Sequence, residues 1–203
     1  GSHATSLPGV TIDEKHIVSS TGALSLKKCP KKLVVIGAGY IGLELGTVWA
    51  RLGAKVEVIE FLPRILPGMD DEIAKKFMAI AKKQGLSFRL STAVKQAKSS
   101  KAGVTLTVEP ADGGKPESIS ADIALVSVGR HPATDGLGLE AAGVALTERG
   151  RIAVDTRFET SLDDVYAIGD VIDGPMLAHK AEEDAVAAVE MMAGKAGHVD
   201  YSL

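Results

Sequence analysis

The sequence predicts an α/β fold: a parallel sheet in which an antiparallel meander replaces one crossover helix, followed by a partial second unit of related design. Three observations predict it. Residues 32–60 read as strand, glycine-rich turn, amphipathic helix, second strand and terminal acid. Residues 92–122 change the rhythm from strand–helix to strand–strand. Residues 160–193 then repeat a strand, a Gly-Asp turn and a helix.

Val34, Val35 and Ile36 form the continuous apolar run of a strand buried on both faces. Gly37-Ala38-Gly39-Tyr40-Ile41-Gly42 follows at once, and a helical stretch then runs to Leu52 before Gly53 stops it. Val56 to Ile59 is the next strand and ends in Glu60. Gly37 suits the tight turn, Gly39 a close approach of backbone to a pyrophosphate, and Gly42 the packing of helix on sheet, so the unit is Rossmann-like and dinucleotide-binding. Phosphates would then sit on the N–H groups of a positive helix end. Glu60 stands 23 residues beyond Gly37, near the ~20 expected of an acid that accepts hydrogen bonds from an adenosine ribose. A carboxylate there repels a ribose 2′-phosphate, so the reading is NAD in preference to NADP. Arg64 is the one nearby cation arguing otherwise, and a purely structural glycine turn is the plain alternative.

Within the first helix, Ile41, Leu45, Val48, Trp49 and Leu52 recur at helical spacing and are expected to face the sheet. Glu44 is expected in the first turn, either as a carboxylate favoured by the helix dipole or beside a nicotinamide. Asp70 caps a second helix with Ile73, Phe77, Ile80 and Ala81 as its apolar stripe and Gly85 at its close. The lysines at 75, 76, 82 and 83 form its solvated face. Leu86 to Leu90 is the next strand. The meander comprises Val94 to Ala97, Val104 to Val108 and a return from Ile119, with residues 110–114 as a turn cluster.

Ile123 to Val128 is a further buried strand, and Gly129 at its carboxyl end is placed to line the nicotinamide end of the cleft. Ile152 to Val154 and Val165 to Ile168 are expected strands, the latter ending in Gly169-Asp170. Asp170 is read as a cleft-facing acid or, alternatively, as an acceptor for turn N–H groups. Ala178 to Ala193 is a helix with Ala181, Ala185, Val189 and Met192 on one side. Gly1-Ser2-His3 is set aside as a scar of tag removal, and residues 4–30 read as a connector.

Composition narrows the function classes. A net charge of −3 makes no electrostatic case for nucleic acid or an anionic membrane. Hydrophobic and charged contents of 45% and 24% are those of an ordinary globular protein. No apolar run approaches the ~20 residues of a membrane span. One cysteine, Cys29, forms no internal disulfide and suits a reducing compartment. No metal site and no catalytic residue is expected in the chain.

The glycine-rich unit, the meander, Val128-Gly129-Arg130-His131-Pro132 and the run from Thr160 to Asp170 resemble, in this order, the pyridine-nucleotide disulfide oxidoreductases. The wording at residues 17–24, 42–46, 58–61 and 176–182 is most similar to the dihydrolipoyl dehydrogenase branch. The resemblance implies that Gly37, Gly39, Tyr40, Ile41 and Gly42 hold the NAD pyrophosphate and Glu60 the adenosine ribose. It implies that Val94 borders the adenine and that Glu44 and Gly129 flank the nicotinamide. It further implies that Asp170 binds the ribityl chain of FAD and that the backbone of Met176, Leu177 and Ala178 meets the flavin. His179 reads as a structural residue at the helix start.

Two positions depart from the family pattern: His131, where a second Arg is commoner, and the bulky Tyr40. Larger still, the family's chemistry needs a C-x-x-x-x-C pair, a first FAD motif and a catalytic base, none of which this chain carries. The expectation is therefore a central piece of such an enzyme, inert by itself. It comprises an NAD-binding domain at 31–134 and part of an FAD-type domain at 135–203. The implied parent uses NAD, FAD and a lipoamide substrate, forms a homodimer, and serves a 2-oxoacid dehydrogenase complex in the bacterial cytoplasm or mitochondrial matrix. The alternatives are the same portion of a glutathione reductase, mercuric reductase or NADH oxidase, or a noncatalytic NAD-binding module.

Overall fold

The computed structural model describes residues 1–201. The chain opens with β1 (Ser2–Ala4), β2 (Ile17–Val18) and the single-turn α1 (Ser20–Leu24). It continues through β3 (Lys32–Ile36), α2 (Tyr40–Arg51), β4 (Lys55–Ile59), α3 (Asp71–Lys83) and β5 (Leu86–Arg89). The meander is β6 (Thr92–Ser100), β7 (Gly103–Pro110) and β8 (Glu117–Ala121). After it come β9 (Ile123–Val126), β10 (Arg130–Pro132), the short α4 (Leu139–Ala142), a 3-10 turn at Gly169–Val171 and α5 (Ala178–Met192). Two compact units result, one of residues Ala4–Gly129 and one of Gly1–His3 with the chain from Arg130 onward.

The larger unit is built on a five-stranded sheet of order β2-β9-β3-β4-β5, with every neighbouring pair parallel. Strand alternation divides its apolar residues between two layers. Leu33, Val35, Val56, Val58, Ile123 and Leu125 pack with the helices, whereas Val34, Ile36, Ile59, Ala124 and Val126 pack under the meander. This two-faced burial is why the strands read as unbroken apolar runs. Residues 4–30, expected as a connector, supply the outermost strand instead: Ile17 and Val18 pair with Ala124 and Leu125 and are almost wholly buried.

Asp13 secures the entry to that strand. One carboxylate oxygen accepts from the backbone N–H of Lys15, His16 and Ile17 at 2.8–2.9 Å. Burial pushes the carboxyl up, but the bonds from Ile17, Ser99, Lys15 and His16 prevail and hold it well below the usual carboxylate range. A depressed folded-state pKa contributes stability that is present above pH ~4 and is lost as pH falls through the folded value. Asp13→Ala is therefore expected to lower stability by roughly 1–2 kcal/mol at pH 7. Urea titrations of both proteins at pH 7 and pH 3 are expected to show that difference shrinking in acid.

The helices bury narrower faces than the periodicity implied. In α2 the buried residues are Gly42, Leu43, Gly46 and Trp49, while Val48 and Leu52 are exposed. In α3 the core contacts are Ala74 and Ala81, and the expected stripe of Ile73, Phe77 and Ile80 is largely exposed. Small residues lie against the sheet because close approach of helix and strand leaves no room for larger ones. Ile80→Lys is accordingly expected to change stability by less than ~0.5 kcal/mol. Ala81→Asp, which buries an unpaired carboxylate, is expected to cost several kcal/mol in the same denaturation assay.

In the smaller unit, Val144, Ile152, Phe158, Ala167, Ile172, Ala187 and Ala188 form the core. The expected strands at 152–154 and 165–168 do not extend. Ile152 and Tyr166 make single bridges to Leu146 and Glu159, because among the described residues no further strand lies alongside them. The buried face of α5 is also rotated from the expected one. It presents Lys180, Asp184, Ala187 and Ala188 inward, and Val189 and Met192 outward. Residues 1–3, set aside as a scar, belong to the folded chain, since β1 pairs with β10.

Candidate functional site

The chain runs β3, β4, β5 outward in one direction and places β9 and β2 on the other side of β3. The change of direction between β3 and β9 is a topological switch point, where ligands of open α/β sheets sit beyond the carboxyl ends of the strands. Gly37 follows β3, Glu60 follows β4 and Gly129 lies shortly after β9, so all three emerge at that edge.

The glycines differ in what requires them. Gly37 has φ +102°, and a Cβ there would lie 2.4 Å from the Ser127 carbonyl oxygen. Gly42 closes the first turn of α2 so tightly that a Cβ would meet the Gly37 carbonyl oxygen at 2.3 Å and Ser127 Oγ at 2.6 Å. Gly39 is the opposite case: a Cβ there meets nothing within 4 Å. It occupies the cap position of α2 and supplies no side-chain cap. The helix thus presents Tyr40, Ile41 and Gly42 at a positive end without a side-chain cap, with open space at Gly39, which fits an incoming pyrophosphate.

Glu60 is 8% exposed. One carboxylate oxygen accepts from Ala38 N–H at 2.7 Å and the other from Leu62 N–H at 2.9 Å. The acid therefore ties the glycine loop to the loop after β4, and each oxygen keeps acceptor capacity for ribose hydroxyls. Arg64 is committed elsewhere. Its guanidinium donates to the carbonyls of Ile65, Leu66 and Met69 and pairs with Asp71, so it lies in the loop leading to α3 and is not directed at a ribose phosphate.

Ser127, which the sequence reading passed over, donates to the carbonyls of Ile36 and Gly37 at 3.0 and 3.3 Å. It locks the loop to β9, which ends at Val126 and not at Val128 as expected, and a lone hydroxyl near the end of an otherwise apolar run was the available signal. Gly129 has φ +124°, and its carbonyl accepts from Thr5 N–H at 3.0 Å. Val94 is 9% exposed in the meander core, two residues beyond the Thr92 N–H bond to the Glu60 carbonyl. Glu44 is exposed, but it falls in the second turn of α2, since the helix begins at Tyr40 and its first turn holds no acid. The dipole account of Glu44 is thereby weakened.

In the smaller unit, Asp170 lies in the 3-10 turn and its carboxylate accepts from the Ser2 hydroxyl. Ser2 Oγ in turn accepts from Arg130 Nε at 2.6 Å, and Arg130 Nη2 donates to the Ser2 carbonyl at 2.6 Å. Ser2 was missed because residues 1–3 were set aside. Leu177 is the cap residue of α5, again without a side-chain cap, and Ala178 begins the helix. Met176 is half-buried just before it. Residues 176–178 thus lead into a helix start whose backbone N–H groups suit a flavin edge, and Asp170 suits a hydroxyl-bearing chain. His179 is exposed.

Residues 1–185 match the model of the pyridine nucleotide-disulphide oxidoreductase family. The chain belongs to that family. It is 61% identical over 201 residues to mitochondrial dihydrolipoyl dehydrogenase of Pisum sativum, covering 99% of this chain and 40% of that protein. It is 60% identical to the leghemoglobin reductase of Glycine max, with 99% and 38% covered. Against mitochondrial dihydrolipoyl dehydrogenase of Bos taurus identity is 56% over 204 residues, with 100% and 40% covered. The alignment to the whole chain takes in residues 1–3.

Among solved structures, LpdA from Mycobacterium tuberculosis superposes with a TM-score of 0.87 at 26% identity, covering 98% of this chain and 42% of that one. The HOCl-induced flavoprotein disulfide reductase RclA from Escherichia coli gives 0.85 at 30% identity, with 98% and 44% covered. The chain therefore spans about 40% of the length of the curated relatives it matches. Family membership brings NAD and FAD as the cofactors, and the glycine cradle with Glu60 fits the first of them. No group of three or more His, Cys, Asp or Glu among the described residues is arranged to hold a metal. No helix among them is long and apolar enough to cross a membrane.

Proposed function

We propose that this chain is the NAD-binding segment of a flavin-dependent dihydrolipoyl dehydrogenase, joined to part of that enzyme's FAD-binding domain. The observation that carries the reading is the buried Glu60 carboxylate, braced by Ala38 and Leu62 at the switch point beside the open Gly39. The identity of 56–61% to dihydrolipoyl dehydrogenases over the full chain supports the choice of branch.

In the parent reaction a dihydrolipoyl dithiol reduces a redox disulfide, and the electrons pass through FAD to NAD as hydride. Within this chain, Tyr40, Ile41 and Gly42 bind the pyrophosphate through backbone N–H groups, and Gly39 leaves room for it. Glu60 orients the adenosine ribose, with Val94 beside the adenine. Glu44 and Gly129 flank the nicotinamide. Asp170 and the backbone at Met176, Leu177 and Ala178 contribute to the flavin site. The single Cys29 supplies no redox pair, so the chain alone is expected to bind NAD without turning over lipoamide. The parent works as a homodimer within a 2-oxoacid dehydrogenase complex. It belongs in the mitochondrial matrix or bacterial cytoplasm, and the mitochondrial relatives support the former.

Calorimetric titration of the chain with NAD, NADP and FAD tests this reading. Binding of NAD well above NADP is expected. NADP binding as tight as NAD would overturn the role of Glu60, and disulfide reductase turnover by the chain alone would overturn its assignment as a partial enzyme.

A further inference from the structure

Lys180 and Asp184 lie one helical turn apart at the start of α5, with side chains 3% and 0% exposed. Lys180 Nζ stands 2.6 Å from Asp184 Oδ2 and donates to the Gly169 carbonyl at 3.1 Å. The same Asp184 oxygen accepts from Gly169 N–H at 3.0 Å, and Oδ1 accepts from the Tyr201 hydroxyl at 2.5 Å. One buried ion pair therefore grips both backbone groups of the residue immediately before Asp170. A Cβ on Gly169 would stand 3.1 Å from Ala181 Cβ, so turn and helix are in close register.

Two penalties argue against a pair kept for stability alone. A cation in the first turn of a helix is opposed by the helix dipole. Burying two charges costs about what their attraction returns, and apolar replacements of similar volume are often as stable or more so. What the apolar replacements cannot supply is a donor and an acceptor for one specific peptide group.

We propose that Lys180 and Asp184 form a positioning pair, which fixes the Gly169–Asp170 turn so that the Asp170 carboxylate meets the hydroxyls of a polyol chain. The inference rests on the flavin reading above, in which that chain is the ribityl group. The pair acts through the Gly169 backbone and touches no ligand.

The test is the double variant Lys180→Met/Asp184→Leu, which removes the charges and keeps the volume. Its melting temperature is expected within about 4 °C of wild type. In the chain studied by NMR, the Gly169 amide is expected to exchange about 10- to 100-fold faster. In the full-length protein carrying this segment, FAD affinity is expected to fall at least about tenfold with NAD affinity unchanged.

Wild-type FAD affinity in the double variant would overturn the proposal, whether or not Gly169 exchange changes. If the double variant melts far below wild type, Lys180→Arg decides: it keeps the ion pair while displacing the contact to Gly169. The same loss of FAD affinity is expected there, and wild-type affinity overturns the positioning role. Failure of the wild-type full-length protein to retain FAD is a separate result. It would overturn the flavin reading itself, and with it the ligand assigned to Asp170.

Discussion

Gly42→Ala is expected to abolish NAD binding and destabilise the fold, whereas Gly39→Ala is expected to weaken NAD binding in a protein as stable as wild type. A methyl on Gly42 would lie 2.3 Å from the Gly37 carbonyl oxygen, a backbone atom that cannot swing aside, and 2.6 Å from Ser127 Oγ. The start of α2 must move away from the loop, at a cost of roughly 1–3 kcal/mol. The N–H groups of Tyr40 and Ile41 move with it, so NAD affinity should fall about 100-fold or more.

Gly39 has φ −75° and ψ 179°, which alanine adopts freely, and its Cβ points into open space. The stability change is expected to stay within ~1 kcal/mol. Only the ligand's room is taken, so affinity should fall by about tenfold or more. Calorimetric NAD titration together with thermal melting of both variants separates the two effects. A Gly39→Ala protein that binds NAD as tightly as wild type would mean that the pyrophosphate does not cross this loop.

Replacement of Glu60 is expected to have the next largest effect, with stability and specificity responding differently. Glu60→Ala leaves the buried N–H of Ala38 and the part-buried N–H of Leu62 without their acceptor and should cost about 1–3 kcal/mol. Glu60→Gln keeps the shape and removes the charge. It is expected to weaken NAD binding without producing tight NADP binding, because Arg64 is held in its own loop and not turned toward a 2′-phosphate. Arg64 is the nearest candidate by sequence, and its guanidinium is held by Met69, Leu66, Ile65 and Asp71. NADP affinity in Glu60→Gln equal to wild-type NAD affinity would show that this tether opens readily.

Arg64 also illustrates where sequence reading and structure part. Four residues from Glu60, it counted as an argument for NADP. Which way a long side chain turns depends on carbonyls contributed by a loop whose path no local pattern specifies. The helix faces went the same way. Ile73, Phe77 and Ile80 have helical spacing, yet Ala74 and Ala81 lie against the sheet, since how closely a helix approaches is set by both partners. At i and i+4, Lys180 and Asp184 carry no local sign of burial, and only the turn at Gly169 makes them an interior pair.

Local constraints were legible because they are local. The unbroken apolar run from Val34 to Ile36, the glycines at 37, 39 and 42, and Glu60 at the end of the next strand all lie within one β-α-β unit, so their pattern is readable from local spacing. From the sequence alone these residues determined the α/β class and the dinucleotide-type unit, and the alternation over residues 92–122 determined the meander. The tertiary structure decided which faces are buried, that residues 17–18 complete the central sheet, that Ser2 meets Asp170, and that Ser127 locks the glycine loop. Those contacts join residues far apart in the chain, and their partners are chosen by packing density and hydrogen-bond satisfaction across the whole fold.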